Sequence, residues 1–508
     1  MANFWDMAFT FVLEDLNEPL KPIRRTCAVA AAAPDTRQRK KRKRETAKRR
    51  PVSPEEPVGK VARWRFDPEK SPWWRLVRAR GVRNEGTRAY NKFRKKFRLP
   101  LTTVEELVQE AQGVRAWKDK PAGAGFGKGH GRHPLLLKVL AALRYLAKGC
   151  DPETLEDAAC ISATCLGVFI PGFIKWLAET VYPREVRLPM GEHLAQSQRV
   201  FAKLGFPGAY CNTDGVHLHW AACPAKYQAL HNGKEGYPTR AFNVSVLQST
   251  EIIHVSESMP GAKNDQTQAV HDDLFTGLRN GSIAGNERFN LYAVDGTSVQ
   301  RRGVYAIVDA GYHEWRILQC PLAAAAGEDA ALWTERLESV RKAVERTFGS
   351  LKKRFRLLRN PFDCTKASAI ECAFKACCAF HNMLLRIDEF DTMGHLSTDW
   401  CTHKQLAPRA DEWEQRCKHV VRGPRNRSAC NSQREPGHAA LREDLITHFG
   451  HAEKLGQNAW LRMAHDARPA GTWQQAEMGL WDSDGDAEQE DPDEPNFASD
   501  PEDDVDDL

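Results

Sequence analysis

The run YCNTDGVHLHW, residues 210–220, decides how the rest of the chain is read. It is short, mixes aromatic and β-branched residues and is bounded by turn formers, so it reads as a strand, and it carries an acid, Asp214, in its middle. Three more runs of this kind follow: AFNVSVLQS at 241–249, IIHVSES at 252–258 and VYAIVD at 304–309. Residues 265–279, between the third and fourth, read as a helix. Residues 333–358 form a long helix with a buried stripe of Trp333, Leu337, Val340, Val344, Phe348 and Leu351. A further helix at about 367–386 carries Phe374, Cys377, Cys378 and His381. Three strands, a helix, a fourth strand and more helices make an α/β domain.

Before Pro189 the period is helical. HPLLLKVLAALRYLAK at 133–148 is an amphipathic helix ending at Gly149, Asp151-Pro152-Glu153 starts the next, and Ser162 caps a third. That order is like a helix-turn-helix, but its second helix, ATCLGVFIPGFIKWL, is apolar and interrupted by proline where a DNA-reading helix is polar and basic, so it reads as core. Trp73 to Arg98 is basic with interleaved aromatics, the pattern of a helix that contacts phosphates while its rings pack inward. The glycines of GAGFGKGHG at 123–131 never form G-x-G-x-x-G and no strand precedes them, so the segment is a connector. Pro171, Lys175 and Glu179 interrupt the most apolar stretch, 166–182, which argues against a membrane span. The acidic amino terminus lacks the order of a secretory signal, so export is not expected.

The chain has 508 residues and a formal charge of +6, which hides very unequal parts. Residues 482–508 hold fourteen Asp and Glu and no Lys or Arg. Such a tail is read as disordered, serving solubility or screening the basic body. RQRKKRKRETAKRR at 37–50 reads as a nuclear-localisation signal, carried by Arg39, Lys40, Lys41, Arg42, Lys43, Arg44, Lys48, Arg49 and Arg50. The fourteen cysteines are scattered without a CxxC pair, which fits a reducing compartment. Cys401, His403, Cys417 and His419 form two Cys-x-His pairs, but chelation by residues two apart is unusual and scattered structural residues are the better reading than zinc. The expected organisation is a disordered basic region at 1–70, a helical and possibly helix-turn-helix region at 71–205, an α/β domain at 206–390, a helical or irregular region at 391–480 and an acidic tail at 481–508.

Asp214 lies within the first strand and Asp309 ends the fourth, where a carboxylate is presented at the sheet's edge. Glu345 is the sole acid among eight Lys and Arg from Arg341 to Arg359. Carboxylates suit hard divalent cations, and cations beside them suit phosphate, so these three are candidates for metal-dependent phosphodiester chemistry. Asp295, in YAVDG, also ends a strand-like run and ranks below Asp309 because a variable-looking turn follows it.

The order of elements resembles a ribonuclease H-like fold, a mixed sheet with flanking helices. Asp214-Gly215, GKEGYPTRAFNVSV at 233–246, PGAKNDQ at 260–266, IVDAGYHEW at 307–315, RLESVRKAVERTFGSLKKRFRLL at 336–358 and CAFHNML at 378–384 together resemble the catalytic domain of PIF/Harbinger-type DDE transposases, over about 206–390 and loosely back to FRKKFRLP at residue 93. The resemblance implies a DDE triad of Asp214, Asp309 and Glu345, with Asp265 as an accessory metal ligand and Mg²⁺ or Mn²⁺, two ions, as cofactor. It implies an endonuclease that cleaves transposon ends and transfers the 3′-hydroxyl to target DNA, working in the nucleus on double-stranded DNA as a homo-oligomer, without a membrane, beside a Myb-like DNA-binding partner. Arg341, Lys352, Lys353, Arg354 and Arg356 are the expected phosphate contacts. The alternative is a domesticated, catalytically silent nuclear DNA-binding or adaptor protein on the same fold.

Overall fold

The computed structural model describes residues 68–117, 133–388, 396–397 and 434–461. The basic cluster at 37–50, the glycine-rich 123–131, the Cys401-to-His419 pairs and the acidic tail lie outside the described residues.

Side-chain caps set where the first helices begin. In α1 (Pro72–Val77) the Ser71 hydroxyl accepts from the Trp73 and Trp74 amides, and in α2 (Arg88–Phe97) the Thr87 hydroxyl accepts from Tyr90. After α3 (Leu101–Ala111) comes α4 (Leu135–Lys148), which ends on Gly149 at φ +69°, a left-handed conformation that favours glycine. Asp151 caps α5 (Pro152–Ala159) and Ser162 caps α6 (Ala163–Trp176), as their positions in the sequence predict. Helix α6 continues through a π-helical turn, Leu177–Val181, into Tyr182–Glu185. By length and composition 163–185 is apolar enough to cross a membrane. Its Leu166, Phe169, Ile170, Phe173 and Ile174 are instead buried in the protein's largest core.

The chain continues through α7 (Gly191–Lys203), β1 (Ala209–His219), α8 (Ala225–His231), β2 (Thr239–Val246), β3 (Ile252–Val255), β4 (Met259–Pro260), α9 (Asp265–Val270), α10 (Asp273–Asn280), β5 (Arg288–Tyr292), β6 (Ser298–Arg302), β7 (Tyr305–Ile307) and β8 (Leu318–Gln319). Helices α11 (Glu328–Arg354) and α12 (Ala367–Ile387), strand β9 (Leu396–Ser397), helix α13 (Pro436–Lys454) and strand β10 (Trp460–Leu461) complete it. The main sheet runs β3-β2-β1-β7-β8, with β4 also on β2. Strands β1, β2 and β3 are antiparallel neighbours, whereas β7 is parallel to β1 and β8 to β7. The architecture is therefore α/β with a mixed sheet, and all four predicted strands are present.

Three features differ from the sequence reading. The helix expected at 265–279 is two helices, because Asp272 turns its carboxylate onto the Leu274 and Phe275 amides and starts α10 afresh. A β5–β6 hairpin is inserted before β7, and Asp295 sits in its turn, accepting from the Thr297 amide and hydroxyl. Helix α11 starts at Glu328, five residues before the expected start, and its predicted stripe is buried apart from the half-buried Phe348.

One hydrophobic cluster joins Trp73, α4 and α6 to β1–β3, α11 and α12, so the helical layer is packed on the sheet. A buried ion pair ties the two as well: Arg94 of α2 donates to both oxygens of Asp388 at the end of α12, at 2.8 and 3.1 Å. Both side chains are about nine-tenths or more buried, so removing one partner strands a desolvated charge. Arg94→Ala is expected to lower unfolding free energy by about 3–5 kcal/mol, the usual cost of breaking such a pair, whereas Arg94→Met with Asp388→Leu together recovers most of it. Urea denaturation of the three proteins measures both.

Candidate active site

The β1–β7 register brings the first two acids together. Its last registered pair is Asn212 with Ile307, and Asp214 and Asp309 each lie two residues further along, side by side where β7 ends. Asp265, at the first turn of α9, reaches the same place. A Cβ at Gly311 would stand 2.9 Å from both Asp265 Oδ2 and Asp309 Oδ1, so a side chain there would crowd both carboxylates. Asp309 Oδ1 also accepts from the Gly311 amide at 2.7 Å, and Asp214 Oδ1 from Gly215 at 2.8 Å. Glu345 lies across from Asp214 on α11, and Arg341 lies between them: its guanidinium donates to Asp214 Oδ2 at 2.9 Å and to Glu345 Oε1 at 3.0 Å.

Burial pushes the Asp214 carboxyl above the usual carboxylate range; the nearby Asp309 and Asp265 add to the rise, and Arg341 and the Gly215 amide oppose it. Asp265 is raised by burial and then by Asp309, with Lys234 opposing. The loop after Asp309 is held from beneath. The Tyr312 hydroxyl donates to Asn243 Oδ1 at 3.0 Å, Asn243 donates to Asp272 at 3.2 Å, and His254 lies 3.1 Å from the same buried carboxylate. All the gathered donors are carboxylates, which suits a hard divalent cation, and Arg341 stands among them as a cation would. As placed, no three His, Cys, Asp or Glu side chains among the described residues are close enough to hold a metal.

The other predicted residues divide. Lys352 is half-buried, and burial holds its ammonium pKa below the usual value; Lys353 is exposed and Arg356 half-buried. Arg354 is a core residue: it is 5% exposed and donates to His381 Nδ1 at 3.2 Å, so it does not face a phosphate. His381 in turn donates from Nε2 to the Thr250 carbonyl at 3.0 Å, and burial, aided by Arg354, lowers its pKa to about 3. The sequence reading gave no role to the rim formed by α8 and the loop before β2. Tyr227, Leu230 and Tyr237 are 43%, 47% and 41% exposed there, beside Lys226 and Lys234, and Tyr237 packs on His219 with ring centroids 4.1 Å apart. The signal was available as two tyrosines and two lysines within 225–237, in a stretch with little apolar periodicity.

Residues 183–393 match a family model described as plant transposon protein. The match supports a transposase-derived protein. It spans the whole main sheet, α11 and α12, and so contains Asp214, Asp265, Asp309 and Glu345. No curated protein and no solved structure matches the chain.

A carboxylate whose folded pKa is raised contributes stability that is fully present below its unfolded value and lost as pH rises through the folded one. Near neutral pH the metal-free protein therefore bears the cost of ionised Asp265. Asp265→Asn is expected to raise its melting temperature there, by less than about 4 °C, the shift that about 1 kcal/mol gives a domain of this size. The advantage should vanish below the ordinary Asp pKa of about 3.9. Thermal melts of both proteins across that range test it.

Proposed function

We propose that the protein is a metal-dependent DNA endonuclease and strand transferase of the PIF/Harbinger DDE class, with a ribonuclease H-like catalytic sheet. The carrying observation is the side-by-side register of Asp214 and Asp309 with Asp265 against Asp309, inside the segment that matches the plant transposon family. The order β3-β2-β1-β7-β8, three antiparallel strands followed by two parallel to the first, supports the fold assignment.

Asp214, Asp265, Asp309 and Glu345 would hold Mg²⁺ or Mn²⁺, two ions in this reading. Bound there, the ions supply positive charge to the attacking and leaving oxygens of an in-line displacement. In the first step water attacks a transposon-end phosphodiester, and one P–O bond forms as another breaks to free a 3′-hydroxyl. In the second, that hydroxyl attacks a target phosphodiester and displaces its 3′-oxygen. Lys352 and Lys353 in the last turn of α11 and Arg356 just beyond it contact phosphates, which orients the duplex without reading its sequence. The rim of Lys226, Tyr227, Lys234 and Tyr237 takes the strand beyond the cut, with the rings stacking on unpaired bases. A homo-oligomer on double-stranded DNA, a separate Myb-like protein for sequence specificity and a nuclear location complete the proposal.

A second reading, the domesticated adaptor that binds DNA without cutting, has one observation in its favour. The Arg341 bridge already satisfies Asp214 and Glu345 without metal. Mn²⁺-dependent nicking of a duplex carrying the element's inverted ends separates the two. Asp309→Asn is expected to bind that duplex normally and to cut it at least about 100-fold more slowly, the scale for losing one group that stabilises transition-state charge. Wild-type protein that binds but cuts no faster than this variant would establish the adaptor.

The rim has its own test. Replacing Tyr227 and Tyr237 by Ala together is expected to weaken binding of a short single-stranded oligonucleotide by about tenfold or more, since each base–aromatic stack contributes about 1–3 kcal/mol. Duplex affinity should change less, and fluorescence anisotropy measures both.

A further inference from the structure

The acids of the candidate site differ in what neighbours them. Asp265 and Asp309 each have a carboxylate oxygen beside Gly311. Asp214 and Glu345 are joined by Arg341, one nitrogen of its guanidinium on each carboxylate, at 2.9 and 3.0 Å. The Arg341 side chain is 18% exposed, close to the 23% of Asp214, so this contact is screened by water far less than a surface pair. Glu345 is 50% exposed and has room to turn. The third guanidinium nitrogen, Nε, is buried without a hydrogen-bond partner among the described residues. Arg341 is thus held by two carboxylates, with its Nε donor left without an acceptor. Arg354, at the end of the same helix but in the core, shows the contrast, being fixed through His381.

We infer that Arg341 is the resident counter-cation of this site: it pairs with Asp214 and Glu345 and holds them in place while no metal is present, and it must release both before a divalent cation can be shared by the strand acids and Glu345. The inference rests on the metal-dependent reading above. Arg341 is a positioning residue here, acting through the carboxylates. Arginine guanidinium groups are not deprotonated in proteins, so the charge can leave the site only with the side chain. It has to move, and its flexible stem allows that without a shift of the helix. The geometry also accounts for the lack of a ready metal cluster among the described residues: the acids that would complete it are occupied by a cation already in the chain.

The experiment is Mn²⁺ binding to the full chain without DNA, followed by the loss of the free-ion electron paramagnetic resonance signal, with thermal melts alongside. Arg341→Gln keeps hydrogen-bond donors but removes the charge. It is expected to bind Mn²⁺ at least about tenfold more tightly than wild type, to melt lower than wild type without metal, and to gain more in melting temperature from saturating Mn²⁺. Affinity equal to or weaker than wild type would overturn the inference and make the bridge a permanent salt link. Arg341→Lys keeps a charge without the fork, and covers the case in which the Gln variant does not fold. It should bind Mn²⁺ more tightly than wild type, and equality counts against the inference. Failure of the underlying reading looks different: wild type and both variants would bind no Mn²⁺, or would bind it undiminished by Asp309→Asn.

Discussion

Carboxylates on neighbouring parallel strands repel one another, and burial makes the repulsion stronger by removing the water that would screen it. The rest of this structure is arranged around holding Asp214, Asp265 and Asp309 together against that force. The β1–β7 hydrogen bonds fix the first and last in register, Gly311 leaves space for the second, and the Tyr312–Asn243–Asp272 chain anchors the loop that carries Asp309 from below. Each of these devices costs something locally: a glycine, and a buried carboxylate at Asp272 that has to be satisfied by two helix amides, an asparagine and the neighbouring His254. Buried carboxyls gathered and shifted in this way mark the place as a functional-site candidate, and under the metal-dependent proposal a bound cation would offset their repulsion.

The positive charges follow a different logic from the one their density in the sequence implies. Arg94 and Arg354 lie in basic runs that read as phosphate-binding surfaces, yet both are buried and bonded within the fold. Arg98 likewise is buried and donates to the Arg354 carbonyl at 2.9 Å. Arg94 and Arg98 fasten the helical layer to α12 and α11, and Arg354 fastens α11 to α12; planar guanidinium groups are suited to that because they satisfy several acceptors at once. The basic face left for a ligand is accordingly narrower than the sequence implies.

How much could be read from the sequence divides along the same line. The four strands, the long helix and its stripe, and the caps at Asp151 and Ser162 follow from local rules of period and capping, and they are present. Asp214 and Asp309 could be nominated because each ends or interrupts a strand in a recognisable way; their adjacency could not, since it comes from a parallel pairing between segments about ninety residues apart. The break between α9 and α10 was missed because Asp272 looks like any helical surface acid until its carboxylate is seen turned onto the next two amides. Arg341 and Arg354 were indistinguishable as letters in one basic run. Only the third dimension separates the one beside the acids from the one in the core.

Helix α11 answers to two cores at once. Its first half, through Trp333, Leu337 and Val340, packs with Leu441, Leu445 and Phe449 of α13 and with Tyr305 and Ile307 of β7. Its second half, through Ala343, Val344 and Leu351, belongs to the cluster shared with β1, β2, α12 and the helical layer. A helix gripped at both ends by well-packed side chains cannot slide or roll without opening one of the two cores. The distance between the Glu345 backbone and the strand acids is therefore set by the fold, and any approach of that carboxylate to Asp214 and Asp309 must come from side-chain rotation alone. Long, partly exposed Glu345 and long, unbranched Arg341 are the two residues of the site with the torsional freedom for this, whereas the short aspartates on the sheet have almost none. The division assigns the fixed half of the site to the strands and its adjustable half to one turn of one helix.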